Sequence, residues 1–307
     1  MTGGIILHHY GTSPFSEKVR AAFGIKDLAW HSVTIPPAMP KPDLLPLTGG
    51  YRKTPVMQIG ADIFCDTQVI LRELERRQPA PTFFPGLARG LAEGTAFWAD
   101  HQLFGAAVAV AFGLMGEHMP DSFLEDRSKF SGRPLDRSKF KPQAAVMTGP
   151  LRAHLGWIEE ALGDGRSFLY GDAPSLADLA VYHCVWFVRD RAKSDALADY
   201  TALNAWADRM KGFGHGEKIE MTSAAALEIA KTNEPAPAIG GVVANALGLK
   251  AGSLVSVTPD DTGRDATIGE LVALDAQQVT IRRESAETGS LHVHFPRAGF
   301  ILVPAKL

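Results

Sequence analysis

The sequence predicts an α/β unit, then an all-helical unit, then a small β unit, and three observations predict it. Short apolar strands alternate with helical periodicity over the first eighty or so residues. From Leu87 to about Leu114, and in several stretches from Pro150 to about Ala230, apolar residues recur at the three- and four-residue spacing of helices. Beyond the linker Thr232-Asn-Glu-Pro-Ala-Pro-Ala238 the period falls to two, the spacing of strands. The expected units are 1–80, 85–231 and 239–307.

A chain of 307 residues is long enough for two or three domains. A net charge of −3 implies no strong pull toward nucleic acid or an anionic membrane, and neither is expected as a partner. The only cysteines are Cys65 and Cys184, with no CxxC pair or Cys/His cluster, so no disulfide framework and no metal is expected. That usage fits a reducing cytoplasm. The first residues lack the basic flank and long apolar core of a signal peptide. Leu103 to Met115 is too short to span a bilayer and reads as a buried helix.

Ile5 to Tyr10 reads as a buried strand. The helix after it carries Phe15, Val19, Ala22 and Phe23, and Pro14 suits its first turn, where no donor is needed. Ser13 therefore sits at the helix start. Trp30 to Ile35 is a second strand, followed by a loop from Pro36 to Pro42 too rich in proline for a regular helix. Val56, Met57 and Ile59, then Ile63 to Cys65, form a hairpin entered through Pro55, which donates no hydrogen bond and fits only the first strand position. A cis bond before Pro55 would turn the Thr54 amide and carbonyl outward, free to pair with a bound peptide. Asp66 or Thr67 then caps a helix bearing Val69, Ile70 and Leu74, whose free amides favour an anion.

The run Ser13-Pro14-Phe15-Ser16-Glu17-Lys18-Val19-Arg20, with Lys53-Thr54-Pro55-Val56 and Asp66-Thr67 downstream, resembles the glutathione transferase family. The first run is similar to the SPF…VR motif of its tau and omega classes. The resemblance covers about residues 5 to 230 and implies a thioredoxin-like amino-terminal domain and a helical second domain. It implies that Thr54 and cis-Pro55 pair with glutathione's cysteinyl backbone. Asp66-Thr67, standing where most members carry Glu-Ser, would hold the γ-glutamyl end. Arg52 or Lys53 would pair with the glycine carboxylate, and Phe15 would lie beside the ligand. Trp98, His101 and Phe104 would face the pocket of a small apolar electrophile, and the protein would be a homodimer. A hydroxyl that hydrogen-bonds the glutathione thiolate would activate it, and Ser13 and Tyr10 are both candidates. Serine at 13 and 16 leaves no protein thiol for dithiol exchange, which argues against a disulfide reductase. A non-catalytic scaffold that binds glutathione or a partner is the alternative.

Gly116 to Thr148 reads as a polar excursion containing a repeat, Asp126-Arg-Ser-Lys-Phe130 and Asp136-Arg-Ser-Lys-Phe140. Pro150 to Leu162 is a helix, and Ser175 with Asp178 is a capping box for the next one. Helices are also expected over Tyr200 to Met210 and Met221 to Ala230. Five strands follow, around Leu254, Gly269, Val279, Leu291 and Phe300, and suggest a small SH3-like barrel. His292 and His294 share one side of their strand, and without a third ligand they are expected in solvent rather than on a metal. The helical core closes by about Ala230, so removing everything after Asn233 is expected to leave a soluble, glutathione-binding protein.

Overall fold

The computed structural model describes residues 4–86 and 89–305; Leu87, where the helical pattern begins in the sequence, lies outside them. The first unit runs β1 (Ile6–His9), α1 (Pro14–Ile25), β2 (Ala29–Thr34), α2 (Leu45–Thr48), β3 (Val56–Ile59), β4 (Asp62–Cys65) and α3 (Thr67–Arg77). The helical unit follows as α4 (Arg89–Trp98), a π-helical turn (Ala99–Leu103), α5 (Phe104–Met115), α6 (Asp121–Ser131), α7 (Arg137–Leu162) and α8 (Leu176–Trp186). A second π-helical turn (Phe187–Arg191) leads to α9 (Thr201–Gly212), β5 (Glu217–Glu220) and α10 (Ser223–Thr232). The chain ends in β6 (Leu254–Pro259), β7 (Thr267–Leu274), β8 (Gln278–Ser285), β9 (Gly289–Pro296) and β10 (Phe300–Pro304). This is the expected thioredoxin-like plus all-α architecture, with the five extra strands present.

Those strands join the first sheet. One ten-stranded sheet runs β10-β6-β7-β8-β9-β4-β3-β1-β2-β5. The seam is a parallel pairing of β4 with β9, with Asp62 opposite His292 and Phe64 opposite His294. Alternation along the strands splits the core into two. Leu7, Met57, Ile59 and Phe64 face α1, α3 and the helical unit. Ile6, Val56, Ile63 and Cys65 face the other way and share one cluster with Val255, Ile281, Val293 and Phe295. The two regions therefore bury each other, and the expectation that residues after Asn233 can be removed harmlessly is corrected.

His292 and His294 are also buried rather than in solvent. His294 stacks on Phe64 at 4.4 Å and bridges Asp62 Oδ1 at 2.9 Å and Thr280 Oγ1 at 3.0 Å, riveting the seam. The polar excursion is largely helical: α6 lies within it, and α7 begins at Arg137 despite Pro142 and Pro150, each of which removes one intrahelical donor. The edge strand β5, Glu-Lys-Ile-Glu, was not expected, because an exposed charged strand carries no apolar alternation.

Candidate functional site

Strand register brings the motif residues together. His8 pairs with Val56, and Val56 pairs with Cys65. The segments that follow His9, precede Val56 and follow Cys65 thus leave the sheet side by side at one end. His9 also lies opposite Thr34, so the proline-rich loop leaves there too.

At this end Ser13 is the N-cap of α1 and is 2 % exposed. Its Oγ accepts the Ser16 N–H at 3.2 Å, which leaves its own proton available for a further acceptor. Arg20, the arginine of the motif, holds this turn from behind. It donates to the Gly11 carbonyl at 3.0 Å, the Tyr10 carbonyl at 3.4 Å and Glu17 at 2.7 Å. His9 accepts from the same guanidinium at 3.1 Å. Burial, reinforced by Arg20, pushes His9 down to about 3, and burial pushes its neighbour His8 to about 4. Both are neutral at pH 7, whereas an unfolded histidine takes its proton near 6.5. Folded pKa values below unfolded ones mean that the unfolded chain gains protons first on acidification. Melting midpoints are therefore expected to fall as pH drops from about 6.5 toward 4; a flat profile over that window would contradict the assignment. Phe15 turns inward, packing on Phe104 and His183 with ring centroids 4.7 Å from each.

The Thr54–Pro55 bond is cis. The Thr54 hydroxyl accepts from Lys41 Nζ at 2.8 Å, and Lys41 also donates to the Arg52 carbonyl at 2.9 Å. Asp66 caps α3 by accepting the Gln68 N–H at 2.9 Å, and its φ of 91° lies in a region that non-glycine residues rarely adopt. Burial raises the Asp66 carboxyl, against the pull of the Gln68 amide, Lys53 and Lys18. Thr67 accepts from Lys18 Nζ at 3.2 Å. Lys18, 1 % exposed, also reaches Asp100 Oδ2 at 2.7 Å, and Asp100 Oδ1 meets His183 Nε2 at 2.9 Å. Burial drives His183 down, so a neutral imidazole donates to a carboxylate that Lys18 neutralises.

The first copy of the repeat packs against these segments. In α6, Asp126 pairs with Arg52, and Arg127 Nη2 donates to the Pro37 carbonyl at 2.8 Å and the Tyr10 hydroxyl at 3.3 Å. Phe130 lies under both guanidiniums and against Gly263. A Cβ on Gly263 would sit 2.1 Å from that ring, and the Gly263 N–H donates to the Phe130 carbonyl at 2.9 Å. Lys53 pairs with Asp261 in the same β6–β7 connection. The β6–β7 connection thus touches both Lys53 and Phe130.

The amino-terminal domain model of the glutathione S-transferase family matches residues 7–82, and its carboxy-terminal domain model matches residues 141–209. A crystal structure of a glutathione S-transferase-like protein from Pseudomonas syringae is 39 % identical over 99 % of this chain and 100 % of its own, with a TM-score of 0.82. The chain belongs to the glutathione S-transferase family. That match extends over β6–β10. A glutathione S-transferase from Rhodospirillum rubrum aligns over 67 % of this chain and 87 % of its own at 21 % identity, TM-score 0.56. A family member from Pseudomonas fluorescens with two glutathione bound aligns over 68 % and 89 % at 14 % identity, TM-score 0.53. These two share the fold. No relative is found among curated protein sequences.

Trp98 and His101 are two of the aromatic residues expected to face an electrophile. Trp98 packs against His154 and Trp157 of α7, with centroids at 5.4 and 6.0 Å. His101 stacks on Phe97 at 4.1 Å, and Phe97 lies beside Gly299 of the carboxy-terminal strands. A π-helical turn, Ala99–Leu103, follows Trp98 and contains His101. Five residues not singled out from the sequence touch the motif residues or one another: Lys18 meets Thr67 and Asp100, Lys41 meets Thr54, Arg127 meets Tyr10, and His183 meets Phe15 and Asp100. The signal for Lys18, Asp100 and His183 was available, since each interrupts an otherwise apolar helical face.

Proposed function

We propose that this protein activates the thiol of glutathione for attack on a small electrophile. The convergence of Ser13, the cis Thr54–Pro55 loop and the Asp66–Thr67 cap at one end of the sheet carries this reading. Thr54 offers its backbone to the cysteinyl residue. Asp66, whose carboxyl burial raises, gains from an arriving ammonium, and Thr67 keeps a proton for the γ-glutamyl carboxylate. Lys41, more than Arg52 or Lys53, suits the glycine carboxylate, because both of the latter already hold aspartates. The Ser13 hydroxyl and the first amides of α1 stabilise the thiolate. Its sulfur bonds to the electrophilic carbon, the leaving group departs with the electron pair, and the thiol proton passes to solvent. A homodimer in the cytoplasm completes the reading.

Ser13→Ala removes the hydroxyl and keeps the amides. The pKa of bound glutathione is expected to rise, and conjugation near neutral pH to fall about ten- to a hundredfold, or roughly 1.4–2.7 kcal/mol. Thiolate absorbance followed against pH reads the first, and Tyr10→Phe is the comparison. If Tyr10→Phe shifts that titration while Ser13→Ala does not, Tyr10 is the donor. If the wild-type protein binds glutathione and conjugates no electrophile, the scaffold reading replaces this one.

A further inference from the structure

Five cations lie among the motif segments and α6, and their counter-ions can be counted. Lys18 has Asp100, Arg52 has Asp126 and Lys53 has Asp261. Lys41 and Arg127 have only neutral acceptors among the described residues. Two buried or half-buried cations are thus left for incoming anions. Glutathione's glycine carboxylate answers one, and Lys41, hydrogen-bonded to the Thr54 side chain beside the peptide-pairing loop, is placed for it. Arg127, on α6, instead reaches the Tyr10 hydroxyl, one of the two candidate thiolate donors.

The Arg127 guanidinium is held from two sides. Phe123 and Phe130 flank its guanidinium at 4.9 and 5.2 Å, which fixes its plane. Both of its protein acceptors are taken by Nη2, so the donors on Nε and Nη1 remain free among the described residues. A planar guanidinium held by stacking suits a carboxylate. Burial together with Arg127 and Arg52 pushes Lys41 down to about 7, a sign that positive charge is crowded here.

We propose that Arg127 binds an anionic group on the electrophile, so that the acceptor class is apolar bodies bearing a carboxylate. This rests on the glutathione transferase reading and refines its apolar electrophile. Binding of product-like ligands tests it without turnover, using calorimetry on the full chain with S-benzylglutathione and S-(4-carboxybenzyl)glutathione. Wild-type protein is expected to bind the carboxybenzyl compound at least tenfold tighter, and Arg127→Met to bring that ratio close to one. Arg127→Lys, which keeps charge without the planar fork, is expected to retain part of the preference and carries the comparison if the methionine variant does not fold. An equal or inverted wild-type ratio, or a preference that survives in Arg127→Met, overturns the proposal. So does the outcome in which Arg127→Met instead abolishes discrimination between S-benzylglutathione and its glycine ethyl ester, since Arg127 would then hold glutathione's own carboxylate with Lys41. Wild-type protein that binds none of these ligands marks the failure of the glutathione reading itself, and the proposal falls with it.

Discussion

Deleting everything after Asn233 is expected to yield an insoluble chain. The second core cluster has contributions from both sides of that point: Ile63, Val56 and Tyr51 from the first unit, Val293, Phe295 and Ile281 from the last strands. Tyr51 alone packs against Phe295 and Phe300, with centroids at 5.7 and 6.2 Å. Each large apolar side chain returned to water costs about 1.5–3 kcal/mol. The residues that remain, Tyr51, Val56 and Ile63 among them, would lose this cover, and even three such losses amount to roughly 5–9 kcal/mol, comparable to the net stability of a typical domain. The cut also strips β9 from β4, leaving a flat apolar edge in place of the parallel ladder. Soluble yield, circular dichroism and size-exclusion profile read the result. A monodisperse truncated protein that binds glutathione like the full chain would show that the two halves of the cluster do not need each other.

How much of this was legible in the sequence depended on the range of the interaction. Strands β1 to β4, the Ser13 cap of α1, the Asp66 cap of α3 and the Ser175–Asp178 box were readable because their determinants lie within a few residues of one another. The five carboxy-terminal strands were readable from alternation. The seam was not, because nothing in the periodicity of Asp62–Cys65 says that Gly289–Pro296 will lie beside it. The repeat shows the same limit. Asp126 pairs with Arg52 and Phe130 lies under Arg52 and Arg127, whereas Asp136 caps α7 and Phe140 packs on Phe112. Five identical residues thus take two roles set by their surroundings. The helix expected from Pro150 to Leu162 was legible, whereas its first part from Arg137, which runs through Pro142, was not.

Lys18→Met is expected to destabilise the fold by about 3–5 kcal/mol at pH 7, the usual consequence of removing one partner from a buried ion pair. The substitution preserves much of the side chain's volume, so the loss reports the charge. Burial would raise the Asp100 carboxyl, but Lys18 and His183 more than offset this and hold it below its ordinary value. In the variant the carboxylate keeps its burial and loses its cation, leaving only the His183 N–H, so its folded pKa should rise above the unfolded one. The sign of the pH dependence follows. In the wild-type protein the Asp100 contribution is present above the unfolded carboxylate pKa and is lost as pH falls through the lower folded value. In the variant the penalty is present at neutral pH and disappears as Asp100 takes its proton. The two stability curves should therefore converge on acidification, which a cavity or lost packing alone would not produce. Adding Asp100→Asn to Lys18→Met should cost less than the two single changes combined, because the amide needs no counter-ion; a coupling of up to about 3 kcal/mol is the scale for groups in one network. Denaturant unfolding of the four proteins at pH 7 and near pH 4 measures both. A loss below about 1 kcal/mol at pH 7, or strict additivity, would mean that Lys18 is held by Thr67 and packing and that its pairing with Asp100 contributes little.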